Sequence, residues 1–433
     1  MEYCIIVFTC LVVYFRSLRY GTVVDDVDNR KNHDRPSVEA TRKWYTRLRR
    51  KLSGEYPVKN IELDHFINIV INTTNCVLVY ACFGSLPAAL LFSVCVSNNQ
   101  VSLWLNGKRY GISAMLCMLA YLYSPWGIGF WLLTPFFQAS ALSFPILLAL
   151  LGKFYFFPIV LAGLLMGNKF IINWAKDRRN KTRSLVCKTW DDEKLVFILK
   201  TIAYYFVRGI GAYTPNMYPK QFKRFGIYEK DTREAYRFDI QAFAGLLLIS
   251  LIPVAYVINP VVFIGALFWL VTILVYGNWV TITVPLAERY MYLPNIGLMV
   301  FVAKVLSLVH PLAWVGVFIF YLTRHMTFMP MYKDMNSYLK HHTYWFPEND
   351  QAWVFRANYH ANNGDVFGVM HLANEGLLAD IKSPLLWLHK ARGFAKIGRK
   401  DVCNQAIRMA RDCSEGAMKE VVEKEAVKIE SQL

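Results

Sequence analysis

Apolar runs recur along this chain from residue 2 to about residue 323, and that recurrence constrains the fold more than any other feature. A helical run of roughly 20 apolar residues matches the hydrocarbon thickness of a bilayer. In that medium each backbone N–H and C=O has to be satisfied within the protein, which leaves the helix as the natural spanning element. About eleven segments fit, near 3–19, 66–84, 86–104, 111–124, 127–150, 154–174, 195–214, 239–257, 260–280, 291–308 and 311–324. Pro135 and Pro145 interrupt the segment 127–150, which reads equally as a re-entrant pair. The run Tyr3–Phe15 is as short as a signal peptide, yet no small-residue cleavage site follows it and no basic residue precedes it. It therefore reads as a retained helix. With 55% hydrophobic and 18% charged residues, a chain of 433 residues is too apolar for a water-soluble domain. The expected fold is all-α, a polytopic transmembrane helical bundle, and the expected location is an integral, multi-pass membrane protein.

Charge sets an expected orientation. Lys176, Arg178, Arg179, Lys181 and Arg183 form a short basic loop of the kind retained in the cytoplasm. Six segments precede this loop and five follow it, which places the N-terminus on the cytoplasmic side and the C-terminus outside the cytoplasm. Residues 16–59 carry twelve Lys and Arg, and 220–237 is basic as well. Such stretches suit anionic headgroups or an anionic substrate, and no nucleic-acid partner is expected. The nine cysteines show neither CxxC nor Cys/His ligand spacing. Phosphate-loop, dinucleotide, zincin and serine-hydrolase signatures are absent, which disfavours those chemistries.

Within one apolar stretch lies Thr283-Val-Pro-Leu-Ala-Glu-Arg-Tyr-Met-Tyr-Leu-Pro-Asn-Ile-Gly-Leu298. An ion at the bilayer centre costs roughly 3 kcal/mol or more, so Glu288 and Arg289 require a reason. One reading is a buried ion pair that fixes helix register. The other is a polar site for an anionic lipid headgroup, with Tyr290 and Tyr292 suited to a membrane–water interface.

Beyond residue 325 the chain turns polar and helix-favouring. Trp353, Ala357 and Gly364 recur as Trp387, Ala391 and Gly398, each displaced by 34 residues, and Pro347 and Pro384 stand just before the two units. A period of 34 is that of tetratricopeptide repeats, and it predicts antiparallel helix pairs. Two domains follow: 1–325 in the membrane, with a basic first loop at 16–64, and a helical-repeat domain at 326–433.

Four segments, in order, resemble the transmembrane and tetratricopeptide-repeat protein family and its bacterial relatives, which are glycosyltransferases of the GT-C type. They are Val23-Val-Asp-Asp26, His65-Phe-Ile-Asn-Ile-Val-Ile-Asn-Thr-Thr-Asn75, Asn98-Asn-Gln-Val-Ser-Leu-Trp-Leu-Asn-Gly-Lys-Arg109 and Ala287-Glu-Arg-Tyr-Met-Tyr-Leu-Pro-Asn-Ile-Gly297. The last is the most specific. Departures are Asn98-Asn99 in place of Asn-Pro, and Ala-Ser-Ala-Leu-Ser-Phe-Pro-Ile at 139–146 in place of a Ser-Lys-Glu segment.

The resemblance implies transfer of a sugar from a polyprenyl-phosphate lipid to a protein or glycan acceptor on the extracytoplasmic face. This is the setting of a bacterial inner membrane or an endoplasmic reticulum. Asp25 or Asp26 would be the general base, and the other would orient it or hold a divalent metal. Arg289 would contact the donor phosphate, with Arg208 as a second phosphate candidate. Glu288, Tyr290, His65 and Asp64 would support the site. The alternative is a non-catalytic GT-C-like scaffold whose repeat tail binds a partner protein.

Overall fold

A computed structural model describes residues 1–21, 23, 61–134, 143–153, 192–211, 214–215, 238–276, 287–347, 349–379, 382–415 and 417–431. All described elements are helical, and they fall into two compact units. The first lies within Met1–Tyr218 and Tyr236–Lys333; the second includes Asp334–Leu433.

The first unit begins with α1 (Glu2–Tyr14), α2 (Ile61–Phe83), α3 (Leu86–Ser93), α4 (Asn99–Ser102), α5 (Lys108–Leu122) and α6 (Ile128–Leu133). It continues with α7 (Phe144–Leu150), α8 (Asp192–Gly209), α9 (Ile240–Ile258), α10 (Pro260–Leu274), α11 (Tyr292–Val309) and α12 (Ala313–Phe328). Among the described residues three helical stretches are long and apolar enough to cross a membrane: Ile61–Phe83, Ile240–Ile258 and Glu288–Val309.

The expectation of about eleven spans is corrected accordingly. Segment 86–104 breaks after Ser93, because Ser97 and Asn98 turn their polar groups onto nearby backbone and onto Asn295 instead of continuing a helix. Among the described residues, segment 127–150 supplies α6 and α7, of six and seven residues. Helices α1, α5, α10 and α12 have 13 to 16 residues. At 1.5 Å per residue they reach about 20–24 Å, short of a ~30 Å hydrocarbon layer. Helix α8 is long enough at 18 residues, but Asp192, Glu193, Lys194, Lys200 and Arg208 make it too polar. Segment 154–174 and the basic loop 176–183 lie outside the described residues.

Glycines set the closest helix crossings. A Cβ on Gly297 would come within 2.6 Å of the Trp269 backbone nitrogen, and one on Gly265 within 2.6 Å of the Phe301 nitrogen, so α10 and α11 touch backbone to backbone. Gly245 of α9 meets the Leu199 carbonyl of α8 in the same way. Small residues at helix contacts are the packing device of bundles that gain nothing from burying apolar groups away from lipid.

The second unit contains α13 (Met335–Trp345), α14 (Asp350–Asn362), α15 (Val366–Ala379), α16 (Pro384–Lys396), α17 (Lys400–Asp412) and α18 (Ala417–Glu430). The hairpin α16–α17 restarts α14–α15 at the same offset, since α14 begins at 350 and α16 at 384, and α15 at 366 and α17 at 400. Gly364 and Gly398 close the two hairpins at φ +78° and +73°, a region favourable only to glycine. Trp353 is buried against Gly376 of α15, and its indole N–H donates to the Pro347 carbonyl at 2.7 Å. Ala357 and Ala391 are both fully buried at the facing positions. The apolar face of α18 (Met418, Val422, Ala426, Ile429) closes the core, fastened by Arg392–Glu425 and by Arg411 to Glu423 and Glu430.

Candidate functional site

Helix α2 is inverted relative to a helix in water. Its polar residues Asp64, His65, Asn68, Asn72 and Asn75 are buried, while Leu63, Phe66 and Val70 are exposed. The spacing 64, 68, 72, 75 puts four of these on one face. Each polar group turned inward costs free energy unless it finds a partner. For all but His65 the partners come from two distant segments.

One is the stretch 95–111. Asn68 Nδ2 donates to the Trp104 carbonyl at 2.9 Å, Ser102 Oγ to Asn72 Oδ1 at 3.1 Å, and Asn75 Nδ2 to the Gly111 carbonyl at 3.0 Å. Gly111 has no side chain, so α5 can approach α2; a Cβ there would strike Ile71. Lys108 opens α5, where a cation opposes the helix dipole, and it is ion-paired with the fully buried Asp64. Asp64 itself sits in the favourable first turn of α2.

The other segment is the start of α11. Tyr292 donates to Asn72 Oδ1 at 2.7 Å and accepts from Asn75 Nδ2 at 3.2 Å. Asn295 donates to Ser97 Oγ and Asn98 Oδ1, both at 2.8 Å. The Arg289 backbone N–H donates to Gln100 Oε1 at 2.8 Å. Pro294 is tolerated in the third helical position of α11, where no intrahelical N–H bond is lost.

Glu288 pairs with Arg208 of α8 across 3.1 Å, and both side chains are buried. The register-fixing ion pair envisaged for Glu288 and Arg289 is thus made by Glu288 and Arg208, 80 residues apart. Arg208 also donates to the Thr214 carbonyl and stands 5.2 Å from the Tyr204 ring. Its side chain is only 7% exposed.

Arg289 is half-buried on aromatic rings, its guanidinium carbon 5.6 Å from the Trp104 centroid and 5.3 Å from that of Tyr290. Tyr290 stacks flat on Tyr276, with centroids 4.1 Å apart and planes inclined by 5°. Tyr110 neighbours Tyr290 at 6.5 Å and carries Arg109, whose Nη2 donates to the Tyr110 hydroxyl at 3.2 Å. His65 Nε2 lies 3.3 Å from the Gly21 carbonyl, and the Gly21 N–H donates to the Lys333 carbonyl at 2.6 Å.

Asp25 and Asp26 lie outside the described residues. The remaining predicted residues gather at two places, Asp64 and His65 beside Lys108, and Arg208 with Glu288 beside Arg289 and Tyr290. Sequence reasoning missed Gln100, Trp104, Lys108, Arg109 and Asn295. It also missed the amide stripe, whose four-four-three spacing was the available signal. Among the described residues no group of three acidic, His or Cys side chains is placed to hold a metal ion. Comparison with family profiles, curated proteins and solved structures found no match for this chain.

Proposed function

We propose that this protein is a membrane glycosyltransferase of GT-C type. In this reading it moves a sugar from a polyprenyl-phosphate lipid to a protein or glycan acceptor outside the cytoplasm. One observation carries the reading. Three of the four segments that resemble the family, widely separated in sequence, interlock through hydrogen bonds, buried for Asn72 and Asn75 with Tyr292 and for Ser102 with Asn72, and part-buried for Gln100 with the Arg289 backbone. A chance likeness of short strings gives no reason for those strings to meet.

The inverted helix α2 supports the membrane setting. Polar groups inside and Leu63, Phe66 and Val70 outside suit an outer medium of hydrocarbon. Helix α9 agrees, exposing Phe243, Leu246, Leu247, Leu251 and Val254 along its length. In water such a surface would be an aggregation hazard. The multi-pass arrangement and the extracytoplasmic placement of the tail belong to the same proposal, as does a tetratricopeptide class for α14–α17.

Roles divide by environment. Arg289, half-exposed and propped on rings, is suited to a lipid phosphate through planar charge-assisted bonds. The buried Arg208–Glu288 pair holds α8 against the start of α11 and so positions Arg289. Asp64 and His65 fix the end of α2 and the Gly21 backbone that leads toward the aspartates. Asp25 or Asp26 takes the acceptor proton, with a divalent metal as a further element of the proposal. In the scaffold alternative the same bundle binds no donor, and only the tail engages partners.

The test is transfer of labelled sugar from a polyprenyl-phosphate donor by the protein in lipid nanodiscs. Wild-type protein transfers. The double variant Asp25→Asn, Asp26→Asn folds equally well and turns over about two to four orders of magnitude more slowly. Full activity in that variant would remove the aspartates from the mechanism. No transfer by wild type across a panel of such donors would favour the scaffold.

A further inference from the structure

The C-terminal ends of α1 and α12 lie side by side. The Tyr14 ring of α1 meets the His325 ring of α12 edge to face at 5.0 Å, and the Gly21 N–H donates to the Lys333 carbonyl at 2.6 Å. Short 3-10 helices, Phe15–Arg19 and Met329–Lys333, extend the two elements. On both, an exposed apolar surface gives way to positive charge. Phe8, Val12 and Phe15 are exposed on α1 and its extension, and the exposed Arg16 and Arg19 follow. Ile319 and Phe320 are exposed on α12, with the half-buried Arg324 and the exposed Lys333 after them.

This charge is not cancelled within the described protein. Arg16, Arg19, Arg324 and Lys333 have no carboxylate partner among the described residues. Of the acids nearby in the chain or on α2, Asp64 is ion-paired with Lys108, and Asp334 caps α13 through the N–H and hydroxyl of Ser337. Glu62, in the first turn of α2, is one carboxylate against four cations. Arg324 is the most informative of the four. Its guanidinium carbon stands 5.0 Å from the Phe328 centroid and 5.7 Å from that of Phe320. Its Nε is buried without a hydrogen-bond partner among the described residues. A guanidinium stays charged and carries five N–H donors, so on a bundle set in lipid it needs oxygen acceptors from outside the chain.

We propose that Arg16, Arg19, Arg324 and Lys333 form a basic rim that binds the headgroups of anionic phospholipids in the surrounding bilayer. The inference rests on the membrane setting proposed above and goes beyond the sugar-transfer reading, since none of the four belongs to the Arg289 site. Anionic headgroups present phosphate oxygens at the depth where an apolar surface meets charge, and clustered basic residues select them over zwitterionic lipids. Arg324, propped on rings, offers a planar two-donor grip on one phosphate. Arg16, Arg19 and Lys333 retain anionic lipid beside it by charge.

The experiment places the full-length protein in nanodiscs of phosphatidylcholine alone or mixed with phosphatidylglycerol. Native mass spectrometry counts the phosphatidylglycerol retained, and phenylglyoxal labelling of wild type, mapped by mass spectrometry, gives a readout independent of variant folding. Arg408, exposed on α17, is the internal reference. Phosphatidylglycerol should slow labelling of Arg16, Arg19 and Arg324 and leave Arg408 unchanged. Arg324→Gln and the double variant Arg16→Gln, Arg19→Gln should each lower retention, by about fivefold per cation removed. Arg324→Lys, which keeps the charge and loses the planar grip, should fall between wild type and Arg324→Gln. Equal slowing at Arg408 would overturn the rim as a site, leaving only general attraction to charge. Protection by a polyprenyl monophosphate in phosphatidylcholine discs, with none by phosphatidylglycerol, would overturn it in favour of the donor lipid. A protein that enters both discs and labels alike in them loses the headgroup site alone; one that enters neither loses the membrane setting with it.

Discussion

At the scale of single residues, each charge has a different neighbour and therefore a different expected response to mutation. Arg208 and Glu288 are buried together. Removing one partner strands the other in a medium of low dielectric, so Glu288→Ala should cost about 3–5 kcal/mol of stability. The double variant Arg208→Met, Glu288→Met should regain most of it, because a buried pair is often replaced by apolar groups at little net cost. Thermal unfolding of the three proteins checks this; an additive loss in the double variant would mean that the two do not act as a pair. Arg289 stands in a half-open aromatic setting, so Arg289→Lys should fold normally yet bind lipid phosphate weakly, since lysine cannot present two parallel donors. Equal binding by both proteins would make Arg289 a packing residue.

At the scale of elements, the two units depend on different devices. In the first, backbone contact at Gly265 and Gly297 joins α10 to α11. Gly297→Val inserts atoms where a Cβ alone would lie within 2.6 Å of backbone, so it should destabilise by about 1–3 kcal/mol or more and shift Tyr292 with its helix. Unchanged unfolding would show that the crossing can open without loss. In the second unit, Trp353→Ala should cost about 3–5 kcal/mol as a buried large-to-small change. Local stability there should also fall in mild acid. Burial pushes His342 down to about 3; burial, aided by the Arg392 charge, pushes His389 down to about 4. Both fold as neutral rings, so the unfolded chain binds more protons below the ordinary histidine value of about 6.5. The stabilisation is therefore complete above pH 6.5 and lost as pH falls toward 4. The loss at pH 4 is roughly 3 kcal/mol for each histidine, by the usual conversion of pKa units. Glu425, held below its ordinary value by Lys428 and then by Arg392, adds its own loss only below about pH 4.5. Hydrogen exchange of α13 to α17 in the intact protein at pH 7 and pH 5, each rate divided by the intrinsic amide rate at that pH, reads this; protection that is no lower at pH 5 than at pH 7 would contradict it.

At the scale of the whole molecule, how much was legible in the sequence depended on the range of the signal. Local signals carried well: the helical class, the hairpin glycines 364 and 398, and the 34-residue offset all follow from spacing along the chain. Apolar content read as span count did not, because hydropathy cannot see where Ser97 and Asn98 divert the backbone or that α5 and α12 stop short. The Glu288 motif was visible, but its partner Arg208 is 80 residues away and no local pattern points to it. Lys108 closes one of the family-like segments, but its partner Asp64 lies 44 residues away on α2, again beyond any local pattern. The central claim is that Arg289, propped on aromatic rings beside this buried polar stripe, receives a lipid phosphate. The most direct measurement is a density map of the protein in nanodiscs loaded with a polyprenyl phosphate. The account predicts phosphate density within hydrogen-bond reach of the Arg289 guanidinium, with the prenyl chain leaving along the apolar exterior of the bundle. A map with lipid bound elsewhere, and Arg289 enclosed by protein alone, would contradict it.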